Sequence, residues 1–190
     1  MSDSKFTGNE TLTYEDCINQ YREFSSSEFG YLKEFGSTDI GEPLHLFILT
    51  SDDLNEKKLS SNKVTILINN AIHPGEPCGV DASVMFVNTI LNNENLAHIL
   101  SKVNIAIIPM YNIGGGLNRG CCSRANQNGP AFYGFRGNAK NLDLNRDFIK
   151  CDSKNAEAFM SIYHYLKPHI FLDTHTSNGA DYQYVMTLIT

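Results

Sequence analysis

His73 and Glu76 stand three residues apart in the segment NNAIHPGEPCG, directly after the apolar run VTILI. A histidine and a carboxylate fixed at the mouth of a sheet supply two of the three protein ligands of a catalytic zinc ion, which keeps its fourth position for water. His175, in DTHTSNG after the apolar run IFLD, offers the third. One ion held by this His2Glu set would lower the pKa of its water and polarise a scissile carbonyl, so the residues point to a zinc hydrolase. No HExxH occurs, which excludes a helix-borne two-histidine site. Chance often produces HxxE, and the competing reading is a polar strand-end turn. The metal reading gains its weight from position, because both histidines follow strand-like runs.

The elements that must carry these residues can be read from patterning. Thr13 followed by Asp16 resembles a capping box, and Tyr14, Ile18 and Tyr21 give helical spacing, so a helix is predicted over 13–24. Residues 25–42, rich in Ser and Gly, read as a connection. LHLFILT (44–50) and KVTILIN (63–69) read as strands, expected to be a hairpin or neighbouring pair across a charged loop. Val80, Val84, Val87 and Leu91, widened by Met85, Phe86 and Ile90, predict a well-buried helix over 78–92 that anchors the metal turn. VNIAIIPMYN (103–112) is continuously apolar, as in strands buried on both faces.

The stretch 112–143 is long, irregular and rich in Gly, Asn and Arg, and a loop of this length in a compact domain is usually functional. Its GGG at 114–116 fails the dinucleotide pattern because Arg119 takes the final glycine position, so these glycines read as turn formers. Ser153 caps a predicted helix bearing Phe159, Ile162, Tyr163 and Leu166 that ends by Pro168. HIFLD and YQYVMTLI then read as strands. Alternating strands and helices give an α/β fold with a mixed, largely parallel central sheet flanked by helices. Ligands in such sheets gather at the carboxyl ends of the strands, where His73, Glu76 and His175 fall.

Composition narrows the function classes. A chain of 190 residues with 42% hydrophobic content suits one compact domain or most of one. A formal charge of −6 with scattered Lys and Arg disfavours nucleic acid as a partner. No run is long and apolar enough for a membrane span, and MSDSKFTGNETLTYED lacks the apolar core of a signal segment, so a soluble chain is expected and localisation stays open between export and cytoplasm. The five cysteines lack CxxC spacing and read as mostly reduced, incidental thiols, with Cys78 taken as a small buried hydrophobe. His45, His98, His164 and His169 have no partner spacing and read as surface or structural residues.

HPGEP, NIGG (112–115), NLDLNRDF (141–148) and DTH (173–175), in this order, resemble the zinc carboxypeptidase family of carboxypeptidase A type from about residue 13 onward. The resemblance implies a carboxypeptidase-like fold with His73, Glu76 and His175 as ligands of one zinc ion. It implies that Asn145 and Arg146 bind the substrate's terminal carboxylate, a task that suits the planar guanidinium fork. Asp143 matches the aspartate that orients the first histidine ligand. The arginine that stabilises the oxyanion has two candidates, Arg136, favoured by its spacing to Asn145, and Arg124, with Arg119 a poor third. Asp173, two residues before His175, could orient a ligand, but a strand-end aspartate commonly bonds its own turn, and it is left outside the candidate site.

The family's general-base glutamate and substrate-capping tyrosine lie well beyond the third ligand, and the residues after His175 contain no Glu. Residues 13–190 are therefore expected to be the N-terminal part of a catalytic domain, incomplete at its C-terminus, with 1–12 as a tail. The expected activity is hydrolysis of a C-terminal peptide or amide bond in a substrate with a free carboxylate. The alternatives are a zinc amidohydrolase acting on N-acyl amino acids or cell-wall peptides, or a non-catalytic zinc- or peptide-binding module.

Overall fold

The computed structural model describes residues 8–54, 59–60, 62–177, 180 and 183–184. Its elements run α1 (Tyr14–Phe24), β1 (Gly30–Phe35), β2 (Leu44–Leu49), β3 (Val64–Asn70), α2 (Cys78–Leu91), α3 (Glu94–Ala97), β4 (Val103–Ile108), α4 (Ile113–Leu117), β5 (Arg119–Gly120), β6 (Tyr133–Gly134), α5 (Lys154–Leu166) and β7 (Ile170–Thr174). The strand expected from YQYVMTLI falls almost wholly outside the described residues. No helix among the described residues is long and apolar enough to cross a membrane.

The central sheet is mixed, with order β1-β2-β4-β3-β7. β1, β2 and β4 pair antiparallel, whereas β4, β3 and β7 run parallel, with Asn69 beside Ile108 on one side and Asp173 on the other. β2 and β3 are thus not neighbours, because β4 inserts between them. β1 lies inside the stretch read as a connection. It is an edge strand that carries a half-buried Lys33 and an exposed Glu34, and this charge hides its strand character.

Alternation along β4 fills both sides of the sheet. Ile105 and Ile107 face a core with Cys17 and Tyr21 of α1 and Val80, Val84 and Val87 of α2. Ala106 and Ile108 face a second core with Leu67 of β3 and Phe159 and Ile162 of α5. The helices begin where capping predicts. Thr13 Oγ1 accepts from Asp16 N at 3.1 Å, and Ser153 Oγ accepts from Ala156 N at 3.0 Å. The buried face of α2 is narrower than expected, since Met85 and Phe86 are exposed.

Smaller expectations for the cysteines and the glycines change. Cys78 is exposed at the start of α2, and Cys121 and Cys122 are bonded to each other as a disulfide. The three glycines of 114–116 form part of α4, and a Cβ on Gly115 would lie 2.3 Å from the carbonyl oxygen of Phe135, so close backbone approach selects glycine there. Thr11 and Leu12, at the end of the expected tail, are tied down: both bond the Asp81 carboxylate, and Arg119 donates to their carbonyls.

Candidate metal centre

The turn after β3 sets the direction of His73. Ala71 adopts φ 55°, a left-handed conformation that costs a non-glycine residue energy and persists only where neighbours enforce it. Asn112 supplies part of that enforcement. Its backbone N–H donates to Ala71 O at 3.1 Å, and its side-chain amide donates to Ile72 O at 3.3 Å and Arg136 O at 3.0 Å. Glu76 N–H donates to His73 O at 2.9 Å, which closes the turn before α2 begins.

At this turn His73 and Glu76 are both buried, with 3% of their surface exposed. His175 reaches them from the end of β7, its ring edge-on to His73 with centroids 4.8 Å apart. One ligand atom from each of the three lies within 4.8 Å of the others. The neighbouring chain fixes each group. Glu76 Oε2 accepts from Thr176 N at 2.7 Å, and Thr174 Oγ1 donates to Asn70 Oδ1 at 2.9 Å, tying β7 to the turn.

Both imidazoles have a carboxylate on one nitrogen. His73 Nε2 lies 3.0 Å from Asp143 Oδ1, and His175 Nδ1 lies 2.5 Å from Asp173 Oδ2. Such partners fix tautomer and ring orientation in metal sites. The other nitrogen, His73 Nδ1, lies 3.2 Å from Glu76 Oε1 and faces the point where the three residues converge. The two-imidazole, one-carboxylate donor set fits zinc. Asp173 thus does more than bond its own turn. Its spacing to His175, two residues along an edge strand, was the available signal.

The two candidate arginines both reach this cluster but bind different partners. Arg136 donates through Nε at 3.1 Å and Nη2 at 2.8 Å to Asp143 Oδ2, leaving Nη1 3.4 Å from His73 Nδ1. Arg124 Nη2 donates to Glu76 Oε1 at 2.6 Å, and both side chains are buried. Arg119 is committed to the carbonyls of Thr11, Leu12 and Phe132 and stays outside the cluster.

These contacts set the protonation. Burial alone would raise Glu76, but contact with His73, the Thr176 amide and the Arg124 guanidinium outweighs it and holds the carboxyl at about 2. Partial burial would likewise raise Asp143, yet the bonds from His73 and Arg136 keep it below its ordinary value. His175 is raised, chiefly by its bond to Asp173.

Asn145 and Arg146 lie on a single 3-10 turn, Leu144–Arg146, whose cap is Asp143 accepting from Asn145 N at 3.0 Å. Asp147 does not hold Arg146. Its carboxylate bonds Ser153 and the Asp152 amide, while the exposed Arg146 donates from Nη1 to Asn145 O at 2.9 Å. The buried Asn112, which joins the metal turn to α4 and to the Arg136 backbone, was legible only as part of NIGG and not as a positioning residue.

A sequence model described as zinc carboxypeptidase matches residues 19–181. Carboxypeptidase 2 of Trichophyton tonsurans is 26% identical over 152 residues, which is 80% of this chain and 26% of that protein. Carboxypeptidase 2 of Trichophyton rubrum is 24% identical over the same 80% and 26%. The chain therefore spans about a quarter of the length of the curated relatives it matches. Among solved structures, a metallo-carboxypeptidase from Burkholderia cenocepacia superposes with TM-score 0.72 at 18% identity, over 90% of this chain and 43% of that one. A metallo-carboxypeptidase from Pseudomonas aeruginosa in complex with (2-guanidinoethylmercapto)succinic acid gives TM-score 0.69 at 15% identity, over 90% and 41%. At these identities the structural likeness concerns the fold.

Proposed function

Because this chain belongs to the zinc carboxypeptidase family, we propose that it carries the metal-binding part of an enzyme that hydrolyses the C-terminal peptide bond of its substrate. The observation that carries this reading is the convergence of His73, Glu76 and His175 at the carboxyl ends of β3 and β7, with Asp143 and Asp173 on the outer imidazole nitrogens. We read residues 13–190 as belonging to that catalytic domain. Zinc, when bound by these three residues, would lower the pKa of a water and polarise the scissile carbonyl.

The chain's own residues then divide the work. Asp143 orients His73, caps the turn bearing Asn145 and Arg146, and anchors Arg136. Arg136 is the oxyanion donor in this reading. Two of its nitrogens are fixed on Asp143 Oδ2, so Nη1 is held in place before charge develops on the carbonyl oxygen, which is where preorganised donors are most effective. Asn145 and Arg146 hold the substrate's terminal carboxylate. Arg146 is exposed and free of an acidic partner among the described residues, as a guanidinium that receives a carboxylate must be. The ligand named with the Pseudomonas aeruginosa structure is a succinic acid derivative, in keeping with a carboxylate-binding cleft.

Among the described residues, the carboxylates that touch the ligand set are all engaged, Asp143 with His73 and Arg136 and Asp173 with His175. The group that takes the proton from water is therefore not assigned to them. The test is turnover of blocked dipeptides by the full-length protein, with a free or an amidated C-terminus and with or without chelator. Chelator-sensitive cleavage confined to the free carboxylate is expected. Stoichiometric zinc without turnover would leave a binding module, and cleavage insensitive to chelator would overturn the reading.

A further inference from the structure

We propose that Arg124 is an internal counter-ion of the metal site: its guanidinium holds Glu76 in the metal-free protein and is displaced when the ion binds. Metal uptake and release of Arg124 into the cleft are then one event. This rests on the metal reading of His73, Glu76 and His175 given above.

A carboxylate as buried as Glu76 requires a partner of opposite charge. In this chain Arg124 is that partner, 2.6 Å from Oε1, with 8% of its side chain exposed against 4% for Glu76. Oε2 is occupied by the Thr176 amide, so Oε1 is the oxygen left for a metal, and it is the one Arg124 covers. An ion on that oxygen would sit within about 5 Å of the guanidinium, where two positive centres repel.

The seat of Arg124 is built into the motif. A Cβ on Gly75 would lie 2.9 Å from Arg124 Cδ, 3.2 Å from its Nε and 3.0 Å from Gly134 O, so the glycine between His73 and Glu76 clears the path of the arginine. Gln127, with its amide turned to match donor and acceptor, accepts from Arg124 Nη1 at 2.8 Å and donates to Gly75 O at 3.2 Å. The backbone of Arg124 is pinned separately, its N–H donating to Tyr133 Oη at 2.9 Å. Displacement therefore needs only the side chain to swing. Arg136 is unlike it, being bound to Asp143, more exposed, and bonded to no oxygen of Glu76.

The experiment is a competition titration with a chromophoric zinc chelator at fixed pH, paired with thermal midpoints of the metal-free and zinc-loaded full-length protein. Arg124→Gln is expected to tighten zinc binding about tenfold or more. It should also lower the midpoint of the metal-free form while leaving the zinc-loaded form near wild type, and Arg124→Lys should restore much of both. Gly75→Ala, which keeps both charges but closes the seat, should shift affinity in the same direction, and it carries the comparison if Arg124→Gln does not fold without metal. Wild-type zinc binding that is lost in His175→Ala but no tighter in Arg124→Gln and Gly75→Ala overturns this proposal alone. A wild type that binds no zinc overturns the metal reading and this proposal together.

Discussion

Two partly buried polar networks sit at opposite ends of the same parallel strands. At the amino ends of β3, β4 and β7, Lys63 Nζ bonds Asp52 Oδ1 and Ser51 Oγ at 2.7 Å each, Thr50 Oγ1 donates to Asn104 Oδ1 at 2.7 Å, and Asn104 donates to Thr65 Oγ1 at 3.3 Å. His169 Nδ1 accepts from Thr65 N at 3.0 Å. At the carboxyl ends, His73, Glu76 and His175 bring one candidate ligand atom each within 4.8 Å of the others. Both ends bury a carboxylate or its neighbour, and both contain histidine. The difference lies in where the cation comes from.

Lys63 closes the amino-end network from within, on a residue next to the strand it supports, and donor meets acceptor at each step. The carboxyl-end network draws its cations from a loop far along the chain, with Arg124 Nη2 donating to Glu76 Oε1 and Arg136 Nη1 3.4 Å from His73 Nδ1. A polar cluster that neutralises itself is part of the scaffold. One whose three candidate ligand atoms converge within 4.8 Å and whose counter-ion is a distant side chain fits the metal-binding reading proposed above.

The largest test of this contrast separates the two ends by metal binding. His73→Ala or Glu76→Gln should weaken zinc binding about a thousandfold or more, because each removes one of three ligands. Lys63→Met should leave zinc affinity within about twofold of wild type, since its network shares no ligand with the metal site. Competition titration reads both, and a comparable loss in Lys63→Met would dissolve the distinction.

Stability should follow the opposite order. Lys63→Met strands a largely buried Asp52 and should cost about 2–3 kcal/mol in urea unfolding, somewhat below a fully buried pair because Asp52 keeps some contact with solvent. An unchanged urea midpoint would show that the amino-end network is not holding the strands. A smaller effect is expected at the rim of the metal site. Asp143→Ala removes the acceptor on His73 Nε2 and should weaken zinc about 10–100-fold, the usual range for a partner that orients a ligand.

Much of this contrast is legible in the sequence. His73 and Glu76 share one turn, Asp143, Asn145 and Arg146 fall within four residues, and each apolar run before a site residue has strand character. Local spacing carried that information. What spacing could not carry is tertiary. Arg124 reaches Glu76 across 48 residues of chain through an irregular loop, so nothing in SRANQNGP reveals its partner. The insertion of β4 between β2 and β3 is a topological fact invisible to periodicity. β1 was hidden because an edge strand tolerates charged residues such as Lys33 and Glu34. Asp173 was legible in position, and its orienting role stood only as the lesser of two readings, since a strand-end aspartate more often bonds its own turn.

The smallest expected effect concerns acid. Burial would raise Asp52, but the bonds from Lys63 and the Ser60 amide hold it below its ordinary value of 3.8. A depressed carboxyl stabilises the fold in full above that ordinary value and loses the contribution as pH falls through the lower folded one. The stability gap between wild type and Lys63→Met should therefore narrow below pH 3.8. Urea midpoints measured from neutral pH downward check this, and a gap that widens in acid would contradict it.

The most direct measurement is zinc stoichiometry and affinity of the wild type beside His175→Ala, the one proposed ligand drawn from a distant strand. The account predicts one zinc per chain in the wild type and loss of tight binding in the variant. Affinity left unchanged by His175→Ala would contradict the three-residue site itself.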